Sequence, residues 1–164
     1  MKVVFSHGKE SGPWGRKIKH LADLAKGRGC EVESIDYRGV ESESDRVAIL
    51  IAAVEGIEKD TLILVGSSMG GYVSLVGAAA VGPRGVFLMA PALYLPGYSV
   101  QSFPYRGPVR IVHGLQDTVV PYQNSQRYQR VRGGELLLIE ADHRLAGSLT
   151  QVGGSFAQFL DSLL

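Results

Sequence analysis

The sequence is poor in cysteine. Its 164 residues include only one, Cys30, so a disulfide within the chain is excluded, and so is a zinc site built from several cysteines. Cys30 follows Gly29 shortly before a predicted strand, and we interpret it as a small, half-buried thiol. The composition therefore predicts a fold without disulfide cross-links and without a cysteine-bound metal.

The sequence also lacks long apolar runs and an excess of charge of either sign. No apolar stretch approaches the ~20 residues of a membrane-spanning helix, and near the N-terminus only residues 3–5 form an uninterrupted apolar run. Because that run is too short for a signal sequence, we predict a cytoplasmic protein with no membrane partner. The formal net charge of +1 gives no reason to expect nucleic acid as a partner.

What the sequence does have is enough apolar side chains for a core, with 45% hydrophobic and 20% charged residues. This length predicts one domain over residues 1–164. Short runs rich in valine, isoleucine or leucine alternate with segments of helical length. The predicted strands are residues 2–6, 31–36, 61–66, 85–90, 109–113 and 135–140. The predicted helices are residues 15–28, 42–58, 69–81, 122–131 and 145–164.

This alternation predicts an α/β fold. Continuous apolar runs are typical of strands buried on both faces, and repeated strand–helix–strand segments imply right-handed crossover connections. We therefore expect a doubly wound, mainly parallel six-stranded sheet with helices on both faces. In the second helix the apolar residues recur at helical spacing, namely Val47, Leu50, Ile51, Val54 and Ile57.

Residues 91–108, "PALYLPGYSVQSFPYRGP", are predicted to be neither strand nor helix. They contain four prolines, together with a set of apolar and aromatic side chains: Leu93, Tyr94, Leu95, Tyr98, Phe103 and Tyr105. A loop this apolar either covers the edge of the core or lines a substrate pocket. In the second case these six side chains form a wall for an apolar or aromatic acyl group of modest size.

The third predicted strand runs into the third predicted helix through Gly66-Ser67-Ser68-Met69-Gly70, which has the form G-x-S-x-G. So tight a turn forces Ser68 into a strained backbone conformation at the carboxyl end of the sheet. Side chains in place of Gly66 and Gly70 would clash where strand and helix pass closely. Ser68 is therefore a candidate nucleophile, and the N–H of Met69 is a candidate oxyanion-hole donor.

A serine nucleophile needs a base, and the base needs a group that orients it. His143 follows the last predicted strand, and Asp117 lies a few residues past the strand at 109–113. Because the carboxyl ends of parallel strands meet at one edge of the sheet, we expect both side chains near Ser68. His113 and His7 are the alternative bases.

Plainer interpretations exist for several of these residues. The turn can be glycine-rich with a capping serine such as Ser67, and Asp117 can be a turn residue or a helix cap. Asp142 is a weaker candidate than Asp117, because it adjoins His143 on an extended segment, where neighbouring side chains point apart. A phosphate-binding loop is disfavoured, because it requires a lysine and none follows Lys59.

With these motifs in place, the chain resembles the α/β-hydrolase superfamily, and most closely its small, lidless bacterial serine hydrolases of esterase or thioesterase type. Four segments carry the resemblance over essentially the whole chain: "SHGKES", "GSSMGG", "HGLQDTVVP" and "ADHRL". The order of Ser68, Asp117 and His143 is the family's order of nucleophile, acid and base. The resemblance implies a second oxyanion donor, the N–H of Lys9, and a structural role for His7.

The chain departs from the larger family members in two ways. The sheet is expected to begin without the usual antiparallel hairpin, and no lid domain follows the fourth strand. Both departures imply a shallow active site that does not suit long lipids. Glu10 and Trp14 are expected with Lys9 on the rim opposite residues 91–108.

The predicted function is hydrolysis of a small ester or thioester through an acyl-enzyme. A small-molecule substrate is the expected partner, and no metal or organic cofactor is expected. A non-catalytic interaction module with the same fold, a peptidase and a C–C bond hydrolase are the alternatives. The sequence predicts no particular oligomeric state.

Overall fold

The computed structural model describes residues 1–164 and contains one six-stranded sheet. The strands are β1 (Lys2–Ser6), β2 (Glu31–Ile35), β3 (Leu62–Ser67), β4 (Gly85–Met89), β5 (Val109–Gly114) and β6 (Glu135–Ile139). Their order across the sheet is β2-β1-β3-β4-β5-β6, and every neighbouring pair is parallel. The predicted six-stranded sheet is confirmed, and it is parallel throughout.

Five α-helices connect or follow the strands: α1 (Arg16–Lys26), α2 (Glu43–Ala53), α3 (Met69–Val81), α4 (Tyr122–Arg132) and α5 (Leu149–Leu163). Two differ clearly from the predicted ranges. Helix α2 ends five residues early, and Gly56 just beyond it has a left-handed φ of 82°. Helix α5 begins four residues late, because Leu145 is left-handed with a φ of 56° and residues 146–148 form a 3-10 turn. None of the helices combines the length and apolar character that crossing a membrane requires.

Successive strand side chains alternate between two hydrophobic cores. Val3 and Phe5 of β1 pack with helices α1 and α5, whereas Val4 packs with α2, α3 and α4 on the opposite face. All residues of the central β3 are buried. The edge strands β2 and β6 have exposed or half-buried positions, so continuous burial holds only where strands have neighbours on both sides.

The carboxyl ends of all six strands lie at one edge of the sheet. From β1 the chain moves outward to β2 and then returns across β1 to form β3. The sheet therefore has its topological switch between β1 and β3, and open α/β sheets bind ligands at such a point. The loops that follow β1 and β3 meet there.

The opposite edge, at the amino ends of the strands, holds both ends of the described chain. The N–H of Glu31 donates to the carbonyl of Met1 at 3.0 Å. Near the end of α5, the Nε of Arg84 donates to the carbonyl of Leu163, and the Leu163 side chain lies against Gly85. The first and last residues are thus held on the side away from the β1–β3 switch.

Candidate active site

Ser68 stands at the sharp turn between β3 and α3, with φ of 54° and ψ of −119°. A Cβ atom at Gly66 would overlap the carbonyl of Gly70, and one at Gly70 would overlap the carbonyl of Ser6. The requirement for glycine at both positions is therefore confirmed. The Ser68 hydroxyl does not cap α3, so it remains free for another partner.

That partner is His143, in the loop after β6. The Oγ of Ser68 lies 2.9 Å from Nε2 of His143, and Nδ1 of His143 lies 2.7 Å from Oδ2 of Asp117. An ionised carboxylate only accepts hydrogen bonds, so Nδ1 carries the imidazole proton and Nε2 accepts the serine hydroxyl. The structure thus brings together the three side chains that the sequence predicted at this edge.

The Asp117 carboxyl is fully buried and stays ionised. Burial alone would raise its pKa, but the hydrogen bonds from His143 and from the backbone N–H groups of Val120 and Val119 outweigh burial and hold the pKa below its usual value. Both N–H groups lie 2.8 Å from Oδ1. Asp117 therefore organises its own loop through one oxygen and contacts His143 through the other.

His113, an alternative base in the sequence, lies behind Asp117. Its Nε2 donates to the carbonyl of Val120 at 2.9 Å and approaches Oδ2 of Asp117 at 3.1 Å, while Nδ1 accepts from the hydroxyl of Ser125 at 2.7 Å. Burial lowers the pKa of His113, and its contacts with Val120 and Asp117 only partly offset that effect. His113 is thus a neutral, fully buried side chain that supports Asp117 and makes no hydrogen bond to Ser68.

The loop after β1 is fixed by His7 and Arg46. His7 donates from Nδ1 to the carbonyl of Gly8 at 2.7 Å and accepts from the N–H of Tyr37 at 2.8 Å, as expected of a structural residue. The buried guanidinium of Arg46, on α2, donates to the carbonyls of His7, Gly8 and Lys9 at 3.2–3.4 Å. The backbone N–H of Lys9 makes no backbone hydrogen bond.

Sequence reasoning missed Arg46. The one available signal was its spacing, since Arg46, Leu50 and Val54 are buried and lie four residues apart along α2 and the residue that follows it. A charged residue on that stripe indicates a buried polar partner, because an unpaired buried charge is costly. The partners are three successive carbonyls of the β1 loop, those of His7, Gly8 and Lys9.

A cavity of about 630 Å³ opens beside Ser68 and His143. Met69 and Lys9, the two predicted oxyanion donors, line it together with Glu10, and the N–H of Met69 begins α3 without an acceptor in its own helix. Trp14 is 42% exposed and lies outside the lining. The cavity occupies the β1–β3 switch, where the fold favours a ligand.

The segment 91–108 contributes less to this cavity than the sequence suggested. Of the six predicted wall residues, Leu95 and Tyr98 line it. Leu93, Phe103 and Tyr105 are buried in the core beside α3 and α4, and Tyr94 is covered by the guanidinium of Arg127, 4.0 Å from its ring centre. Phe103 packs edge-on against three tyrosine rings, so this part of the segment covers the core instead of lining the pocket.

Comparison with known proteins agrees with the fold. The sequence profile of the alpha/beta hydrolase family matches residues 3–151. The chain therefore belongs to the alpha/beta hydrolase family. No curated protein sequence matches it.

Several solved structures have the same fold. One, described as a hydrolase of the alpha/beta superfamily from Xanthomonas campestris pv. campestris, is 28% identical, with a TM-score of 0.87 and 98% of each chain covered. Est1E from Butyrivibrio proteoclasticus is 19% identical, with a TM-score of 0.83 over 99% of this chain and 87% of Est1E. A Xanthomonas campestris serine hydrolase without a lid is 21% identical, with a TM-score of 0.70 over 99% of this chain and 82% of its own.

Proposed function

We propose that this hydrolase cleaves a small ester or thioester through a covalent acyl-enzyme on Ser68. The observation that carries the proposal is the unbroken line of hydrogen bonds from Ser68 through His143 to Asp117, at 2.9 and 2.7 Å, beside an open cavity. A hydroxyl held against the free nitrogen of an oriented imidazole is the arrangement that activates serine as a nucleophile.

In the proposed reaction His143 accepts the Ser68 proton while Oγ attacks the substrate carbonyl. Asp117 keeps the imidazole in the required tautomer and stabilises its positive charge. His143 then gives the proton to the departing alcohol or thiol. Water, activated by the same imidazole, attacks the acyl-enzyme and regenerates the hydroxyl of Ser68.

The oxyanion that forms at the carbonyl needs hydrogen-bond donors that are already in position. The backbone N–H groups of Met69 and Lys9 fill this role in the proposal, because neither has a backbone acceptor and both residues line the cavity. Loss of one such donor typically lowers the rate by about 10²–10³-fold. The proposed reaction uses no metal and no organic cofactor.

The test is Ser68→Ala, assayed with p-nitrophenyl butyrate and with a fluorophosphonate probe. We expect turnover to fall by about 10⁴-fold or more, and probe labelling to disappear. The thermal midpoint should change little, because alanine and serine adopt this strained backbone conformation at a similar energetic cost.

Ser74→Ala is the matched control. Ser74 lies on the same helix, α3, and its buried hydroxyl has no hydrogen-bond partner, so its loss should leave both turnover and labelling intact. A folded wild-type protein that neither hydrolyses the ester nor reacts with the probe contradicts the proposal and favours a non-catalytic interaction module.

A further inference from the structure

The lining of the cavity is rich in basic residues. Four of its lining residues are Lys9, Arg16, Lys17 and Arg144, and Glu10 is the only acidic residue in the lining. They come from separate parts of the chain: the loop after β1, the start of α1 and the loop after β6. Three segments therefore converge on one cavity with charge of the same sign, in a chain whose formal net charge is only +1.

None of these four basic side chains has a partner in the protein. No carboxylate lies within the 4.0 Å of an ion pair, and none of the four donates a side-chain hydrogen bond. Four basic side chains elsewhere do form ion pairs, namely Lys2–Glu33, Arg28–Asp161, Arg38–Asp36 and Arg110–Glu135. The positive charge at the cavity is thus left without compensation from the protein.

Lys17 is the most informative of the four. Its side chain is half-buried, and burial lowers its pKa to about 8, although the more distant carboxylates of Asp142 and Asp117 favour the charged form. A poorly hydrated ammonium group without a contacting anion destabilises the folded state. An anion supplied by a ligand would provide the missing partner.

The start of α1 adds hydrogen-bond donors to the same cavity. Gly15 offers no side-chain cap, and the first turn contains no acidic residue. The backbone N–H groups of Arg16, Lys17 and Ile18 therefore lack helical acceptors, and all three residues line the cavity. The positive end of the helix dipole reinforces the unpaired side chains there.

We propose that the substrate carries a carboxylate, which Lys17 binds together with Arg16 and Arg144 while Ser68 attacks the ester or thioester carbonyl. This inference rests on the proposed hydrolase function and adds a substrate class to it. The carboxylate can belong to the acyl half, as in a half-ester of a dicarboxylic acid, or to the alcohol half. An apolar cavity wall would instead favour the uncharged ester, because binding would cost a carboxylate its hydration.

The test compares matched esters. For the acyl half, monoethyl adipate is compared with ethyl hexanoate. For the alcohol half, 4-carboxybutyl acetate is compared with pentyl acetate. We expect kcat/KM for the charged ester to exceed that for its neutral partner by about tenfold or more in at least one pair, as a charge-assisted hydrogen bond allows. A ratio of one or less in both pairs overturns the proposal.

Variants on α1 assign the effect to a residue. Lys17→Met should bring the ratio to about one or below, and Lys17→Arg should preserve it. Lys19→Met is the matched control, because Lys19 lies on the same helix, is exposed and is outside the lining. A preference for the charged ester that survives Lys17→Met, Arg16→Gln and Arg144→Gln contradicts the assignment.

A binding measurement separates this inference from the proposed function. Calorimetric titration of the Ser68→Ala protein with monoethyl adipate and with ethyl hexanoate needs no turnover. Stronger binding of the charged ester that is lost in the Ser68→Ala, Lys17→Met double variant supports the anion site even if wild-type protein hydrolyses neither ester. Hydrolysis of ethyl hexanoate without any preference for the charged ester leaves the hydrolase proposal standing and removes this one.

Discussion

Asp117 serves the local fold and the site at the same time. Its Oδ1 accepts two backbone N–H groups that shape the loop after β5, and its Oδ2 contacts His143. The interpretation of Asp117 as a turn residue and its interpretation as part of the site therefore do not exclude each other. His113, whose Nδ1 is hydrogen-bonded to Ser125, also contacts Oδ2 of Asp117. The orientation of the carboxylate is therefore fixed by several contacts.

Lys17 gives the site a pH dependence that separates charged from neutral substrates. Burial lowers its pKa to about 8, Asp142 and Asp117 raise it, and Arg144 lowers it further. The remaining charged or titratable side chains that line the same cavity are His7, Lys9, Glu10, Arg16, Tyr98 and His143. Since the ammonium form exists below its pKa, Lys17 can attract a carboxylate at neutral pH and loses that ability as the pH rises through about 8.

We therefore predict that the ratio of kcat/KM for monoethyl adipate to that for ethyl hexanoate falls between pH 7 and pH 9. Changes that affect both esters equally cancel in this ratio. In Lys17→Arg the ratio should stay level over the same range, because a guanidinium keeps its proton. A level ratio in the wild-type protein over this range would falsify the assignment of the effect to Lys17.

Helix α2 acts on the site through one side chain. Arg46 lies on its buried face and donates to three successive carbonyls of the β1 loop, as well as to the carbonyl of Val40 at 2.7 Å. These bonds hold the loop that contains the N–H of Lys9. Arg46 is therefore a positioning residue for the proposed oxyanion hole, although it does not line the cavity.

For Arg46→Met we predict that kcat for a neutral ester falls by about 10–10²-fold with little change in KM, because the donor moves while the pocket remains. The lost hydrogen bonds should also lower the free energy of unfolding by about 2 kcal/mol. Steady-state kinetics and thermal denaturation measure the two effects.

Arg84→Met is the control for Arg46→Met, because Arg84 also donates to a carbonyl, that of Leu163, but on the edge away from the site. It should lose stability and keep its kcat. An equal loss of kcat in both variants would show that Arg46 acts through general stability only.

The helices and strands could be predicted where the signal lies in residues that are close together in the sequence. Continuous apolar runs placed each strand to within about a residue, and β1 and α3 have the predicted bounds. The predicted buried face of α2 was less accurate, since Ile51 is 36% exposed whereas Arg46 is buried. A buried arginine is stabilised by carbonyls from a distant loop, and periodicity within one helix carries no information about that loop.

At the scale of the whole molecule, the parallel sheet explains why the site could be anticipated. Loops after β3, β5 and β6 share one edge because all the strands are parallel, and a parallel sheet is why Ser68, Asp117 and His143 were expected together. The role of α1 was not expected. Arg16 and Lys17 line the cavity because they begin α1, the helix that follows β1 and so starts at the carboxyl edge of the sheet. No local pattern in the sequence marks which side chains of such a helix line a cavity.

We also predict that the proposed ester hydrolysis and the stability of the fold need neither a metal ion nor a disulfide. No three histidine, cysteine, aspartate or glutamate side chains are grouped so as to hold a metal, and the one cysteine is buried and free. We expect ester hydrolysis and the thermal midpoint to be unchanged, within measurement error, after dialysis against EDTA and after treatment with dithiothreitol. Loss of activity on dialysis that is restored by a divalent ion would contradict the proposed mechanism.

The positions of Met1 and Leu163 at the amino edge have a practical result. A linker attached to either end emerges on the side away from Ser68, so a bead or sensor surface coupled through it leaves the cavity mouth facing the solution. If the proposed function holds, immobilised protein should turn over ester as the free protein does, and the same geometry allows reporter proteins to be fused at both ends without obstructing access to Ser68.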